Sequence, residues 1–259
     1  MKGFTLVIVF LFCKVLFGQE LTISGKVVYN HIRTTQHGET SRAFNLLFNQ
    51  KQSYYVEQVK GGLKEIKETK DDIVIMTPSR KNNNPEFYYF DENQNLYFSS
   101  LQIDTHLFVK EDDDFSVKWE LVPETKKIGE FNCQKAIGIF RGRDYVAWFA
   151  NDVPVSFGPW KLNGLPGLIL EVYDDTGLLH IVAQDIQIDS QEMFSKELSD
   201  KVTKINFNKV LTIDEFVEEK NRIVQEYFNQ LSSRMPKGYG PIKVSENCID
   251  CGQELEVFN

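Results

Sequence analysis

Two sets of residues in this 259-residue chain could do chemistry. The first is Cys248-Ile249-Asp250-Cys251 near the carboxyl end, together with Cys133. A CxxC pair supplies half of a structural zinc site, which needs four ligands. It could instead be a redox dithiol, although such pairs normally open a helix and no capped helix follows Cys248, or a simple disulfide. A bridge from Cys133 to the tail would close a loop of more than a hundred residues and constrain the unfolded chain far more than one inside the CxxC. The second set is Arg141, Arg143, Trp148, Trp160 and Lys161, three cations and two indoles within twenty-one positions. Arginine stacked on tryptophan binds anions and planar ligands. The plainer alternative is that the indoles fill core or corner positions and the cations are solvated or paired with Asp144 and Asp152.

Other catalytic patterns are missing. His31, His37, His106 and His180 are scattered, with neither HxH nor HExxH spacing, and His31 and His37 alone, flanking a loop, make a weak metal case. There is no GxSxG and no paired-carboxylate signature. The sequence therefore calls for no cofactor and leans away from an enzyme, with a hydrolase of unrecognised site as one alternative and metal handling or thiol redox through the CxxC as another.

The elements that must position these residues begin after a leader. Residues 1–18 open with Met1-Lys2, continue in an apolar run from Phe4 to Phe12 broken only by Thr5, and end at Gly18 before Gln19-Glu20, which reads as a secretory signal peptide. The run is too short to cross a membrane, and no later segment approaches the length of a transmembrane helix. Bulky Phe10-Leu11-Phe12 before Cys13 argue against a lipoprotein cleavage site. A periplasmic or secreted chain is expected. Loss of Lys2 and Lys14 with the leader leaves 27 basic against 37 acidic residues, which argues against nucleic acid as a partner. The acidic run Glu111-Asp112-Asp113-Asp114 lacks the spaced ligands and glycine of a calcium loop and reads as a solvated turn.

From Leu21 to Asp189 short apolar, aromatic and β-branched segments alternate with Asn, Asp, Gly and Pro clusters, the pattern of an antiparallel β protein. The expected strands include Asp72 to Met76, Glu86 to Phe90, Val117 to Val122, Lys126 to Glu130, Tyr145 to Phe149 and Leu168 to Tyr173. Phe87-Tyr88-Tyr89-Phe90 and Tyr145-Val146-Ala147-Trp148-Phe149 place bulky side chains on both faces, so both faces need cover, from a helix, a second sheet or a ligand-filled cavity. A helix near 212–234 opens on the capping box Thr212-Ile213-Asp214-Glu215, with Leu211 and Phe216 at the staple positions, and carries an apolar stripe suited to the concave side of a curved sheet. The expected architecture is mainly β: a single curved antiparallel sheet or half-barrel in one domain over 19–241, with this helix packed on it and 242–259 as a tail.

The stretch Cys133-Gln134-Lys135-Ala136, Phe140-Arg141-Gly142-Arg143-Asp144-Tyr145, Ala147-Trp148-Phe149, Gly158-Pro159-Trp160-Lys161 and Gly164-Leu165-Pro166-Gly167-Leu168-Ile169 closely resembles the GLPGLI family, named for the last hexapeptide. The five pieces occur in that family's order over about forty residues. The resemblance implies a secreted or envelope-associated protein and no particular activity. Physically, Leu165-Pro166-Gly167-Leu168 suits a type II turn with positive φ at Gly167, and the strand after it should alternate Leu168, Leu170 and Val172 against Ile169, Glu171 and Tyr173. The expected architecture also resembles envelope lipoprotein carriers. The leading expectation is a non-enzymatic exported protein that binds a lipid-like, apolar or amphipathic molecule, or an envelope protein, along its aromatic interior.

Overall fold

A computed structural model of the protein describes residues 23–35, 38–58, 85–102, 106–110, 116–189, 193–203 and 210–233. The leader, the expected strand at 72–76, the acidic run 111–114, His37 and the tail bearing Cys248 and Cys251 lie outside the described residues.

Among the described residues twelve strands form one open, curved sheet. In chain order they are β1 (Ser24–Thr35), β2 (Gly38–Phe48), β3 (Gln52–Glu57), β4 (Phe87–Asp91), β5 (Leu96–Gln102), β6 (His106–Lys110), β7 (Lys118–Ile128), β8 (Phe131–Phe140), β9 (Arg143–Ala150), β10 (Leu168–Asp174), β11 (Leu179–Asp189) and β12 (Val210–Leu211). Two helices, α1 (Met193–Val202) and α2 (Ile213–Ser233), complete the described elements. The spatial order is β12-β6-β5-β4-β3-β2-β1-β11-β10-β9-β8-β7, with every pairing antiparallel except β12 on β6. Short turns join β1 to β2, β2 to β3, β4 to β5, β7 to β8, β8 to β9 and β10 to β11, and the pairing of β1 with β11 welds the arms together.

The doubly aromatic strands have the double cover their sequence demands. Tyr88 and Phe90 pack into a large cluster with Tyr55, Phe157, Trp160 and Leu165, on the face lidded by the segment 151–167 between β9 and β10. This is the inner face. Phe87 and Tyr89 point the other way and pack with Leu47, Tyr54 and Phe98 beneath Phe194 and Leu198 of α1. The sequence pattern gave no warning of α1, a short and weakly apolar helix whose two buried residues sit one turn apart.

The capping box forms as expected: the Glu215 amide donates to Thr212 Oγ1 at 3.3 Å and the Thr212 amide to Glu215 Oε2 at 2.8 Å. Ile213 and Phe216 pack on Val109 of β6, with Leu211 alongside. Val109 pairs with Ser99 and Ser99 with Tyr88, so the helix docks by its first turns on the inner face at β6 and β12, whereas α1 covers the outer face.

Two expected strands, 117–122 and 126–130, are one. β7 runs through Pro123 with its register against β8 shifted between Val122 and Thr125. A proline inside a strand is tolerated here because β7 is an edge, so the missing N–H breaks no ladder bond on the open side.

The hexapeptide corner differs from a type II turn. Positive φ falls on Gly164, at 92°, and Gly167 is not among the left-handed residues. Gly167 is required for closeness: a Cβ there would lie 2.3 Å from the Ala150 carbonyl oxygen. Gly158 meets the same limit, with the Leu162 carbonyl oxygen at 2.5 Å and the Ile169 side chain at 2.8 Å. Strict alternation in β10 also fails. The register against β9 shifts between Ile169 and Glu171, so Ile169 pairs with Phe149 while Glu171 pairs with Trp148. Phe149 and Trp148 face opposite ways, so the bulge takes Ile169 off the face of Glu171 and sets it against Gly158 under the lid.

Candidate functional site

The five residues singled out around Trp148 and Trp160 do not form one site. Arg141 and Gly142 both have positive φ, 46° and 76°, and make the two-residue turn of the β8–β9 hairpin. The Arg141 guanidinium lies 5.9 Å from the Phe140 ring centroid. Arg143 is half-buried against the buried Asp174, Nη1 to Oδ2 at 3.3 Å, and Asp174 also accepts from the Leu179 amide at 2.8 Å and from the Thr176 hydroxyl. That pair clamps β9 to the β10–β11 turn, so Arg143 is structural. Trp160 and Lys161 are both buried inside the lid. The Trp160 indole meets Phe140 edge-on at 5.7 Å, and its carbonyl accepts from the Tyr97 hydroxyl at 2.8 Å.

Trp148 sits apart, on the outer face. Lys126 Nζ stands 4.4 Å and Lys135 Nζ 5.9 Å from its indole. Lys126 is ion-paired with Glu171, and Glu171 Oε1 contacts His180 Nε2 at 3.0 Å. Cations do gather on a tryptophan, then, but they are Lys126 and Lys135, brought in by β7 and β8. A single sequence gives no sign of that, because it depends on which strands are neighbours.

Cys133 is a free thiol, 1% exposed, with Sγ 3.9 Å from the Phe131 carbonyl oxygen. The partners considered for it in the tail, Cys248 and Cys251, lie outside the described residues. Burial pushes the Cys133 pKa up to about 11 even though Lys126 opposes the shift, so the group is a thiol, not a thiolate, at neutral pH. Among the described residues, no group of three or more His, Cys, Asp or Glu side chains is placed to hold a metal.

The inner face holds a cluster that sequence reasoning missed. Register places His31 opposite Arg42, Phe44 opposite Glu57, Tyr55 opposite Tyr88 and Tyr88 opposite Ser99, all on this face. Tyr55 stacks on Phe44 with ring planes 1° apart and centroids at 4.8 Å, His31 lies 5.3 Å from Phe44 on its own strand pair, and Tyr29 meets Tyr55 edge-on at 5.9 Å. Both nitrogens of His31, the Tyr55 hydroxyl and the Ser99 hydroxyl are buried without a hydrogen-bond partner. Arg42, in contrast, is held by Glu86 at 2.9 Å and Glu57 at 3.5 Å. Burial alone would lower its pKa, but the two carboxylates outweigh burial and raise it. Burial, reinforced by Arg42 and Arg33, drives the His31 pKa down to about 3, so the imidazole is neutral; burial also raises that of Tyr55 well above the ordinary phenol value. Only alternation could have hinted at the cluster, through His31 and Tyr29 sharing a face of β1.

A single antiparallel sheet lidded on one face by an inserted loop and on the other by a short helix defines a mainly β domain built around an aromatic core. The chain belongs to the N-glycanase peptide, N-terminal domain family, whose model matches residues 65–213, more than half of its length. Among solved structures it is similar to PNGF-II in its C2 crystal form, with 14% identity and a TM-score of 0.49 over 80% of this chain and 33% of that one. The P21 form gives 14% identity and a TM-score of 0.48 over 73% and 31%. A domain from Vibrio parahaemolyticus, assigned to outer membrane lipoprotein sorting, has 8% identity and a TM-score of 0.28 over 68% of this chain and 90% of its own. This chain thus spans about a third of the length of PNGF-II. No curated protein matches it. Among the described residues no helix is long and apolar enough to cross a membrane.

Proposed function

We propose that the protein is an exported, non-catalytic envelope domain of GLPGLI type that binds an amphipathic molecule along the inner face of its sheet. The observation that carries this reading is the set of orphaned polar groups there: His31, Tyr55 and Ser99 are 4%, 1% and 0% exposed and have no partner. Folded proteins pair nearly all such groups, because each one left bare costs about 1–3 kcal/mol. A ligand with a polar head would satisfy them, while its apolar body would lie along Phe44, Tyr29 and Tyr88. Arg42 is already matched by Glu57 and Glu86, so the head group is a neutral one such as an ester, amide or alcohol. The leader at 1–18 and the resemblance over Cys133–Ile169 support export.

Native mass spectrometry of protein purified gently from an envelope fraction tests this. A lipid-like adduct is expected, and it should be lost when Tyr55→Phe and His31→Phe are combined. Protein that carries no added mass and is not stabilised by any lipid extract would sink the reading; capture of an envelope protein in place of a lipid would replace it.

The family description favours a second reading, in which the chain serves a glycanase. Release of glycan mass from a glycopeptide, by this chain alone or by a catalytic partner that it accelerates, would distinguish that role from lipid binding.

A further inference from the structure

β7 ends the sheet, and among the described residues no strand pairs with its far side. Its second half is blunted against further pairing: Pro123 removes a donor, and the register shift between Val122 and Thr125 kinks the strand. The first half, residues 118–122, has neither device. It pairs with β8 residue for residue, from Lys118 on Ile139 to Val122 on Lys135, so its outer side presents an unbroken row of backbone N–H and C=O groups. Leu121 is 50% exposed there, and the exposed Lys118 and Glu120 form no ion pair among the described residues. Such an edge is a template for one more strand.

We infer that this edge binds the same edge of a second copy of the chain, antiparallel, in a symmetric dimer with one sheet running through both copies. Charge selects the occupant and the register. In a two-fold strand pair, facing residues must point to the same side of the sheet, so the axis passes through a residue. With the axis at Lys118 or Glu120, that charge would face its own copy, and at Val122 Lys118 would face Lys126 and Glu120 would face Glu124. With the axis at Leu121 the pairing would need Pro123 and the kink beyond it. At Trp119 every pair is favourable. Lys118 then faces the partner's Glu120 on the outer side, and Leu121 faces the partner's Val117 on the inner side, each pair occurring twice by symmetry. Trp119 itself leaves the edge clear, because its ring is turned back over Gly138 and its Nε1 donates to the Asn163 carbonyl of the lid at 2.7 Å. β7 has one free side, so this contact closes at two copies. The inference does not rest on a ligand at the inner face.

Sedimentation equilibrium on the full mature chain tests the contact, at about 10 to 200 μM, a range that reaches weak complexes. A reductant keeps Cys248 and Cys251 from linking copies covalently. A reversible dimer is expected. Lys118→Glu and Glu120→Lys each turn both cross-strand pairs into like charges, and each should weaken the dimer about tenfold or more. Both side chains are exposed, so neither change touches the core. The double variant restores opposite charges and should dimerise as the wild type does. An equimolar mixture of the two single variants should form heterodimers, because each supplies the charge the other lacks. A monomer throughout the range, a dimer indifferent to both single changes, or single variants that fail to recombine would overturn the inference.

Discussion

The hydroxyl of Tyr97 donates to the carbonyl oxygen of Trp160 across 2.8 Å, and both residues are buried. Tyr97 belongs to β5, in one arm of the sheet, and Trp160 to the lid inserted between β9 and β10, in the other. Sixty-three positions separate them, and their bond fixes the lid, at a residue whose own φ is +57°, over the inner face.

Removing that hydroxyl leaves a buried carbonyl without its donor. Tyr97→Phe should lower stability by about 1–2 kcal/mol in urea unfolding with an unchanged slope. A loss under a few tenths would mean the lid is held by ring packing alone.

Gly167→Ala should be much more costly than its size suggests. The new methyl would meet the Ala150 backbone at 2.3 Å, where no side chain can swing away, so about 3 kcal/mol or more is expected. Gly177→Ala, in an open turn with nothing within 4 Å, isolates the cost of positive φ without a clash. If the two variants melt together, the close approach is not what the hexapeptide preserves.

Arg143→Met strips the cation from a fully buried carboxylate. The Arg143 side chain is 10% exposed and that of Asp174 0%, so a loss of about 3 kcal/mol is expected. Adding Asp174→Asn should restore part of it, because the neutral amide can still accept from the Leu179 N–H. A double variant as unstable as the sum of the singles would show that the pair is not coupled.

His31 gives the protein an acid limit. Its folded pKa, about 3, lies below the ordinary 6.5, so the unfolded chain takes up the proton first. The stability tied to the neutral ring is complete above pH 6.5 and is lost as pH falls toward 3, by about 2 kcal/mol at pH 5. His31→Phe should flatten this part of the profile. Parallel pH profiles for wild type and variant between pH 7 and 4.5, measured by chemical denaturation, would refute the assignment.

Cys133 should resist thiol reagents in the native state. With Cys248→Ser and Cys251→Ser in place, a disulfide-exchange reagent at pH 8 should label it only after unfolding, because it is buried and its pKa is raised to about 11. Labelling as fast folded as unfolded would show that the strand around it opens freely.

Much of the fold is legible locally. The capping box at Thr212 and Glu215, the strand pattern through Asp189 and the need to cover both faces of Phe87-Tyr88-Tyr89-Phe90 depend on spacings of three, two and one residue. Such spacings are present in the sequence whatever the rest of the chain does. What covers those faces is not local: the lid at 151–167 and the short helix α1 are chosen by strand order. Arg143 has Asp174, 31 positions away, and Trp148 has Lys126, delivered by the order β9-β8-β7. The bulges at Leu170 and Gln184 are the sharpest case. One extra residue moves a side chain to the other face, and alternation read along a single strand cannot reveal it, because a bulge exists only relative to the partner strand. The sequence by itself thus determined a two-faced aromatic sheet with a capped helix. The tertiary structure alone decided which polar groups are buried without partners, since burial and pairing are properties of neighbours that the chain brings together only when folded.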